Sequence, residues 1–233
     1  MQARVHARYG RCVPFAPHPS AAGVLTAAEP ATERAYRVVL DAVVAGTARP
    51  GELLSEVDVA AVLGMSRTPV RTAFVRLAAE GLLALYPRRG AVVSPVDERE
   101  ARDLLDTRLM FETTAVGWIA ERGVPAGLAG ELHDCLTTQD AAVEHDVLAF
   151  ARADRALHEA VVAAAGNAVA GELFAATGPR LLRLIHRVAE RDAGTRRRLA
   201  DEHARLVGLV LAGDAAGYTA LLRTHVEEAH RAR

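Results

Sequence analysis

Residues 64–85, GMSRTPVRTAFVRLAAEGLLAL, leave the chain few choices of fold. Gly64 is placed to stop one helix in the left-handed conformation, and Ser66 to open the next through a hydroxyl cap. Val70, Ala73, Phe74 and Leu77 recur at i, i+3, i+4 and i+7, so one face of the second helix is buried. Arg67, Thr68 and Arg71 fall around its first turn, off that face. A cationic helix start on an apolar spine, reached through a tight turn, is what a helix entering a DNA groove requires.

The flanking sequence completes a small domain. Residues 32–47 carry Ala35, Val38, Val39, Ala42 and Val43 on one helical face, and Arg49-Pro50-Gly51 ends that helix with turn chemistry. Leu53-Leu54 reads as a short strand. Ser55, with Asp58 three residues on, forms a capping box for a helix that turns Val59, Val62 and Leu63 inward. After Gly81, LLALY, PRRG and AVVSP read as a hairpin whose tip is residues 87–90, with Arg88 and Arg89 beside Gly90. Positive charge there reaches a minor groove or a phosphate backbone. For any single arginine, a solvated face is an equally good reading. The order of stop, turn, cap and basic hairpin is what favours a winged helix-turn-helix over residues 32–96.

Residues 1–31 hold Pro14, Pro17, Pro19 and Pro30 without periodicity and are expected to be disordered. Beyond Ser94-Pro95, Asp97 and Glu100 form another capping box, and no strand is evident. Helices are expected at 97–122, 126–144, 146–165, 167–192, 195–212 and 214–231, punctuated by Gly123, Gly166-Asn167, Gly194 and Gly213-Asp214. Gly178-Pro179 is expected to kink or break the fourth. The fold class is therefore mainly α: a winged helix-turn-helix followed by an all-α antiparallel helical bundle over 97–233.

Charge divides in the same way. Residues 1–95 carry 11 arginines against 7 acids, and 96–233 carry 17 against 22. A basic amino-terminal module on an acidic body fits a nucleic-acid reader with a regulatory domain. No apolar run reaches the length of a transmembrane helix, so no membrane partner is expected. Cys12 and Cys135 are too few for a disulfide framework, which points to a reduced, cytoplasmic setting. Every basic side chain is arginine and none lysine, a mark of coding bias more than of function.

In the bundle, Asp154 and His158 stand four apart on one helix face, and His203 and His225 lie on two later helices among apolar neighbours. A carboxylate and three imidazoles suit Zn²⁺, Ni²⁺ or Mn²⁺ and leave positions for a ligand carboxylate. Spacing alone also allows the plainer reading of hydrogen-bonded core histidines. Arg108 reads either as a carboxylate clamp or as an intrahelical partner of Glu112. His186 has no fixed direction, and His133, His145 and His230 read as surface residues.

Residues 33–96 resemble the DNA-binding domain of the GntR family through PGELLSE, VAAVLGMSRTPVR, RLAAEGLL and PRRGAVV. The resemblance implies DNA contacts by Ser66, Arg67, Thr68 and Arg71 and a wing contact by Arg89-Gly90. Relatives often have arginine after the SE of the second helix, where this chain has Val57, which implies a different operator preference. Residues 97–231 are similar to the FCD ligand-binding domain through RADRALHEAVVAAAGN, DEHARLVGLVLAGD and LLRTHVEEA. In metal-binding FCD domains an Asp, the His four residues on and two carboxy-terminal His are the ligands, which implies Asp154, His158, His203 and His225. By the same resemblance Arg108 faces the effector cavity.

Together these readings describe a FadR-like, homodimeric regulator that binds a palindromic double-stranded operator. It carries a divalent metal, zinc before nickel or manganese, and answers to a small organic acid. An enzyme would need an added general base, and no HExxH or nucleophile elbow is present. The other rival is a bundle that serves only dimerisation, with structural metal or none.

Overall fold

The structure is a computed structural model and describes residues 15–19 and 29–231. The chain divides into two compact units that part between Val96 and Asp97.

In the first unit α1 (Ala31–Val44) lays its apolar stripe on α3 (Arg67–Ala79). Between them come β1 (Leu53–Leu54) and α2 (Glu56–Leu63). The Ser55 hydroxyl caps α2, accepting from the Val57 and Asp58 amides at 3.2 and 3.4 Å, and Gly64 closes it at φ 60°. Val70, Ala73, Phe74 and Leu77 are fully buried, as their spacing requires. Strands β2 (Leu83–Tyr86) and β3 (Gly90–Val93) form the hairpin, and β1 pairs antiparallel on the free edge of β3, giving the order β1-β3-β2. The register sets Leu53 opposite Val92 and Tyr86 opposite Gly90.

Three findings depart from the sequence reading. Val62, expected to face inward from α2, is 48% exposed. Ser66 is the N-cap residue of α3, but its hydroxyl makes no capping bond. Phe15 is 6% exposed and joins the core of this unit, so this proline-flanked stretch supplies a packed side chain. The remainder of the segment expected to be disordered lies largely outside the described residues.

The second unit is helical: α4 (Glu98–Arg122), α5 (Leu128–Ala142), α6 (Val147–Ala164), α7 (Ala168–Ala175), α8 (Gly178–Ala189), α9 (Ala193–Leu211) and α10 (Ala215–Arg231). The expected fourth helix is two, because the chain breaks before Gly178-Pro179 and the proline sits in the first turn of α8, where its missing N–H costs nothing. Asp97, Asp146, Asn167 and Asp192 each accept an amide hydrogen bond from the residue three further on, at 2.6–3.1 Å. These caps let seven helices turn in short loops. Helix α6 is central, packing on α4, α5, α7, α8 and α9. Among the described residues, no helix is long and apolar enough to cross a membrane.

Candidate nucleic-acid interface and candidate metal centre

In the first unit Ser66, Arg67, Thr68 and Arg71 are all exposed at the start of α3. With no side chain capping it, this helix terminus keeps amide donors and its partial positive charge for an anion. Pro69 withdraws one of those donors without disturbing the helix, since the first turn has none to satisfy. Arg67 lies 3.5 Å from Glu56 while 67% exposed, a surface pair of little worth that leaves its guanidinium available. Thr72 and Val75 extend the same exposed groove one turn further. They went unnoticed in the sequence, although each follows a named residue by four.

The helix is held from behind. Tyr36 of α1 donates to Glu80 at 2.6 Å, and Arg76 stacks on the Tyr36 ring while bonding both Glu33 and Glu80. At the wing, Arg88 and Arg89 are exposed and Arg88 adopts φ 63°, which turns the hairpin tip. Gly90 has φ 113°, and a β-carbon there would collide with the Leu54 carbonyl oxygen. Val57 is an apolar side chain 53% exposed on α2.

In the second unit Asp154, His158, His203 and His225 come together from α6, α9 and α10, each no more than 2% exposed. One nitrogen from each imidazole lies within 4.8 Å of the others. His158 Nε2 and His203 Nε2 are 3.2 Å apart, and Asp154 stands 3.6 and 3.5 Å from them. The opposite face of each ring has its own acceptor. His158 Nδ1 meets Glu112 Oε2 at 2.7 Å, His203 Nδ1 meets Gln139 Oε1 at 2.8 Å, and His225 Nδ1 meets Glu202 Oε2 at 2.6 Å. Those partners assign the proton to Nδ1 and turn three Nε2 lone pairs inward. Asp154 Oδ1 is buried with no hydrogen-bond partner. A set of inward acceptors with one orphaned carboxylate oxygen fits a cation, and its chemistry is that of a divalent transition metal.

Arg108 of α4 belongs to the same cluster and makes the intrahelical pair with Glu112. Its Nε donates to Glu112 Oε1 at 2.8 Å, while Nη2 bonds His158 Nε2 and lies 3.3 Å from His225 Nε2. Tyr218 donates to Glu112 at 2.5 Å. Burial pushes the Glu112 carboxyl up, but the adjoining His158 ring and Arg108 outweigh it and hold it at about 2. Burial, reinforced by the neighbouring His225 and His158 rings and Arg108, drives His203 well below the usual imidazole range. His225 is lowered too, by burial against the opposing pull of Glu202. Both rings are therefore held neutral, the form that binds metal.

Beside the cluster, Arg108, Asp154 and His225 share a cavity with Leu181, Leu184, Ile185 and Val188 of α8. Its volume is about 20 Å³, room for roughly one water molecule. Gln139, Glu202 and Tyr218 escaped the sequence reading, since contacts 64, 23 and 106 residues apart have no local signature. His186 is buried, whereas His133 and His145 are exposed as expected. The His230 side chain lies outside the described residues.

Residues 31–93 match the gntR family of bacterial regulatory proteins, and residues 103–228 match the FCD domain. An HTH-type transcriptional regulator in the TAR-I ttuE-ttuC' intergenic region of Agrobacterium vitis is 30% identical over 136 residues, spanning 57% of this chain and 80% of the relative. The gluconate operon transcriptional repressor of Bacillus subtilis is 31% identical over 123 residues, 52% of this chain and 50% of the relative. A solved structure of a GntR transcriptional regulator from Rhodococcus sp. RHA1 superposes with a TM-score of 0.73 at 24% identity, covering 86% of this chain and 95% of that one. Its fold is shared. The family and these relatives are regulators, not enzymes. With a helix-turn-helix module and an FCD domain matched in sequence along nearly all of residues 31–228, the chain belongs to the gntR family of DNA-binding transcriptional regulators.

Proposed function

We propose that this regulator is a homodimeric repressor whose FCD domain holds a divalent metal and releases DNA when a small organic acid binds beside it. The observation that carries the proposal is the buried cluster of three inward Nε2 lone pairs with the unpartnered Asp154 Oδ1. Asp154, His158, His203 and His225 would hold the ion, zinc before nickel or manganese. The metal supplies a fixed positive charge and open coordination positions for a carboxylate. Arg108 reaches the same cavity and adds a second cation.

In the first unit, Ser66, Arg67, Thr68 and Arg71 would enter the major groove, and Arg88, Arg89 and Gly90 would meet the flanking groove or backbone. Two subunits would read the halves of a palindromic operator. The gluconate operon repressor supports the repressor sense and points to sugar acids as a first effector class. An effector shifts DNA affinity only if it prefers one dimer geometry.

The size of the cavity, about 20 Å³, supports a second reading in which the metal is structural and no organic acid enters. Metal analysis of protein purified without a nickel column comes first, followed by thermal shift and operator gel-shift titrations over sugar acids and small dicarboxylates. Stoichiometric metal, with stabilisation by one carboxylate and release from DNA, supports the sensor. Metal with no ligand response leaves the dimerisation module. Tighter operator binding with effector reverses the sign.

A further inference from the structure

The position of Arg108 carries a consequence for how metal enters. Its Nη2 bonds the His158 Nε2 and sits 3.3 Å from the His225 Nε2. These are two of the three nitrogens that converge with Asp154. An imidazole nitrogen has one lone pair, so it cannot accept from a guanidinium and bind a metal together. Nor can the side chain leave freely. Its Nε is bonded to Glu112, which is itself fixed by His158 and Tyr218.

We propose, resting on the metal reading above, that Arg108 is a built-in counter-cation that competes with the metal for the Nε2 lone pairs of His158 and His225. Metal entry breaks the two Nη2 contacts, keeps the Nε–Glu112 bond as a pivot, and turns the Nη2 edge toward the cavity lined by Leu181, Leu184 and Ile185. The charge count at the centre changes with it. One guanidinium faces two carboxylates, Glu112 and Asp154, whereas Glu202 has its own partner in Arg198. A divalent ion converts that single negative excess into a single positive one. The carboxylate receptor, a metal beside a freed guanidinium edge, is therefore assembled by the metal and does not precede it.

The test is Zn²⁺ affinity of the full-length protein, measured against a chromophoric chelator after metal stripping, for wild type, Arg108→Gln and Arg108→Lys. Glutamine removes both the charge and the competing donor. Lysine keeps the charge but ends short of the Nη2 position. Competition for lone pairs predicts that Zn²⁺ binds at least tenfold more tightly to both variants than to wild type. Tightening by Gln with Lys unchanged would mean simple charge repulsion and overturn the proposal, as would unchanged or weaker binding to both. If neither variant folds, wild-type NMR decides: the Arg108 guanidinium protons should exchange with water faster once one equivalent of Zn²⁺ is added, and unaltered exchange refutes the displacement. Wild-type protein that takes up no Zn²⁺ would sink the metal reading itself, a result distinct from either of these.

Discussion

The winged unit and the helical unit each gather charged side chains at one place, but by opposite means. Around the start of α3 the cations stand in water, and Arg67 has only a 3.5 Å surface partner. Around His158 the polar groups are buried and most are bonded to a neighbour, Asp154 Oδ1 excepted: Arg108 to Glu112, Glu112 to Tyr218 and His158, His203 to Gln139. Exposed charges cost the fold nothing and remain free for a partner. A buried network is part of the fold, so whatever it binds becomes coupled to stability. The first arrangement suits reversible attachment to a polyanion, and the second suits sensing.

The sharpest way to break this contrast is Glu112→Ala, which leaves Arg108 buried without its carboxylate. We expect the helical unit to lose about 3–5 kcal/mol, read from the urea unfolding midpoint. A loss below about 1 kcal/mol would show that the groups act singly. Gly90→Ala comes next, at about 2–3 kcal/mol, because φ 113° and the Leu54 carbonyl both oppose a side chain. Accelerated amide exchange in β1 and β3 is the measurement. Arg71→Ala should weaken operator binding by about 1–3 kcal/mol if it reads a base, with an unchanged unfolding midpoint. A smaller loss, equal for all sequences, would assign it to phosphate. Smallest is a matched pair of serines. Ser55→Ala should cost about 1 kcal/mol as a lost cap, and Ser66→Ala almost nothing, since its hydroxyl caps no amide. Equal losses in calorimetry would remove the distinction.

That pair also shows how far the sequence could be read. The stop at Gly64, the break at Gly178-Pro179 and the Asp97 cap are local in cause, so they were legible residue by residue. Whether a serine hydroxyl caps depends on the amides it meets: three residues after Ser55 stands Asp58, whose N–H donates to it, whereas the same place after Ser66 is Pro69, which has no N–H. The four inward residues of the helical unit were legible through their spacing and the family resemblance. Their outer partners were not, because Gln139, Glu202 and Tyr218 gain meaning only once α5, α9 and α10 are packed around α6 or against α4. Nor could Phe15 be found, since burial of an isolated aromatic among prolines is decided by the surface waiting for it.

The close approach of Gly90 to Leu54 reaches further than one turn. Leu54 is followed at once by Ser55, the residue that starts α2, so the basic hairpin and the helix-turn-helix are tied together through the pairing of β1 with β3. Neither can swing without dragging the other. The reach from one DNA-facing edge of this unit to the other is thus set like the gap of a locked calliper. Adaptation to a new operator must come from exchanging the tips.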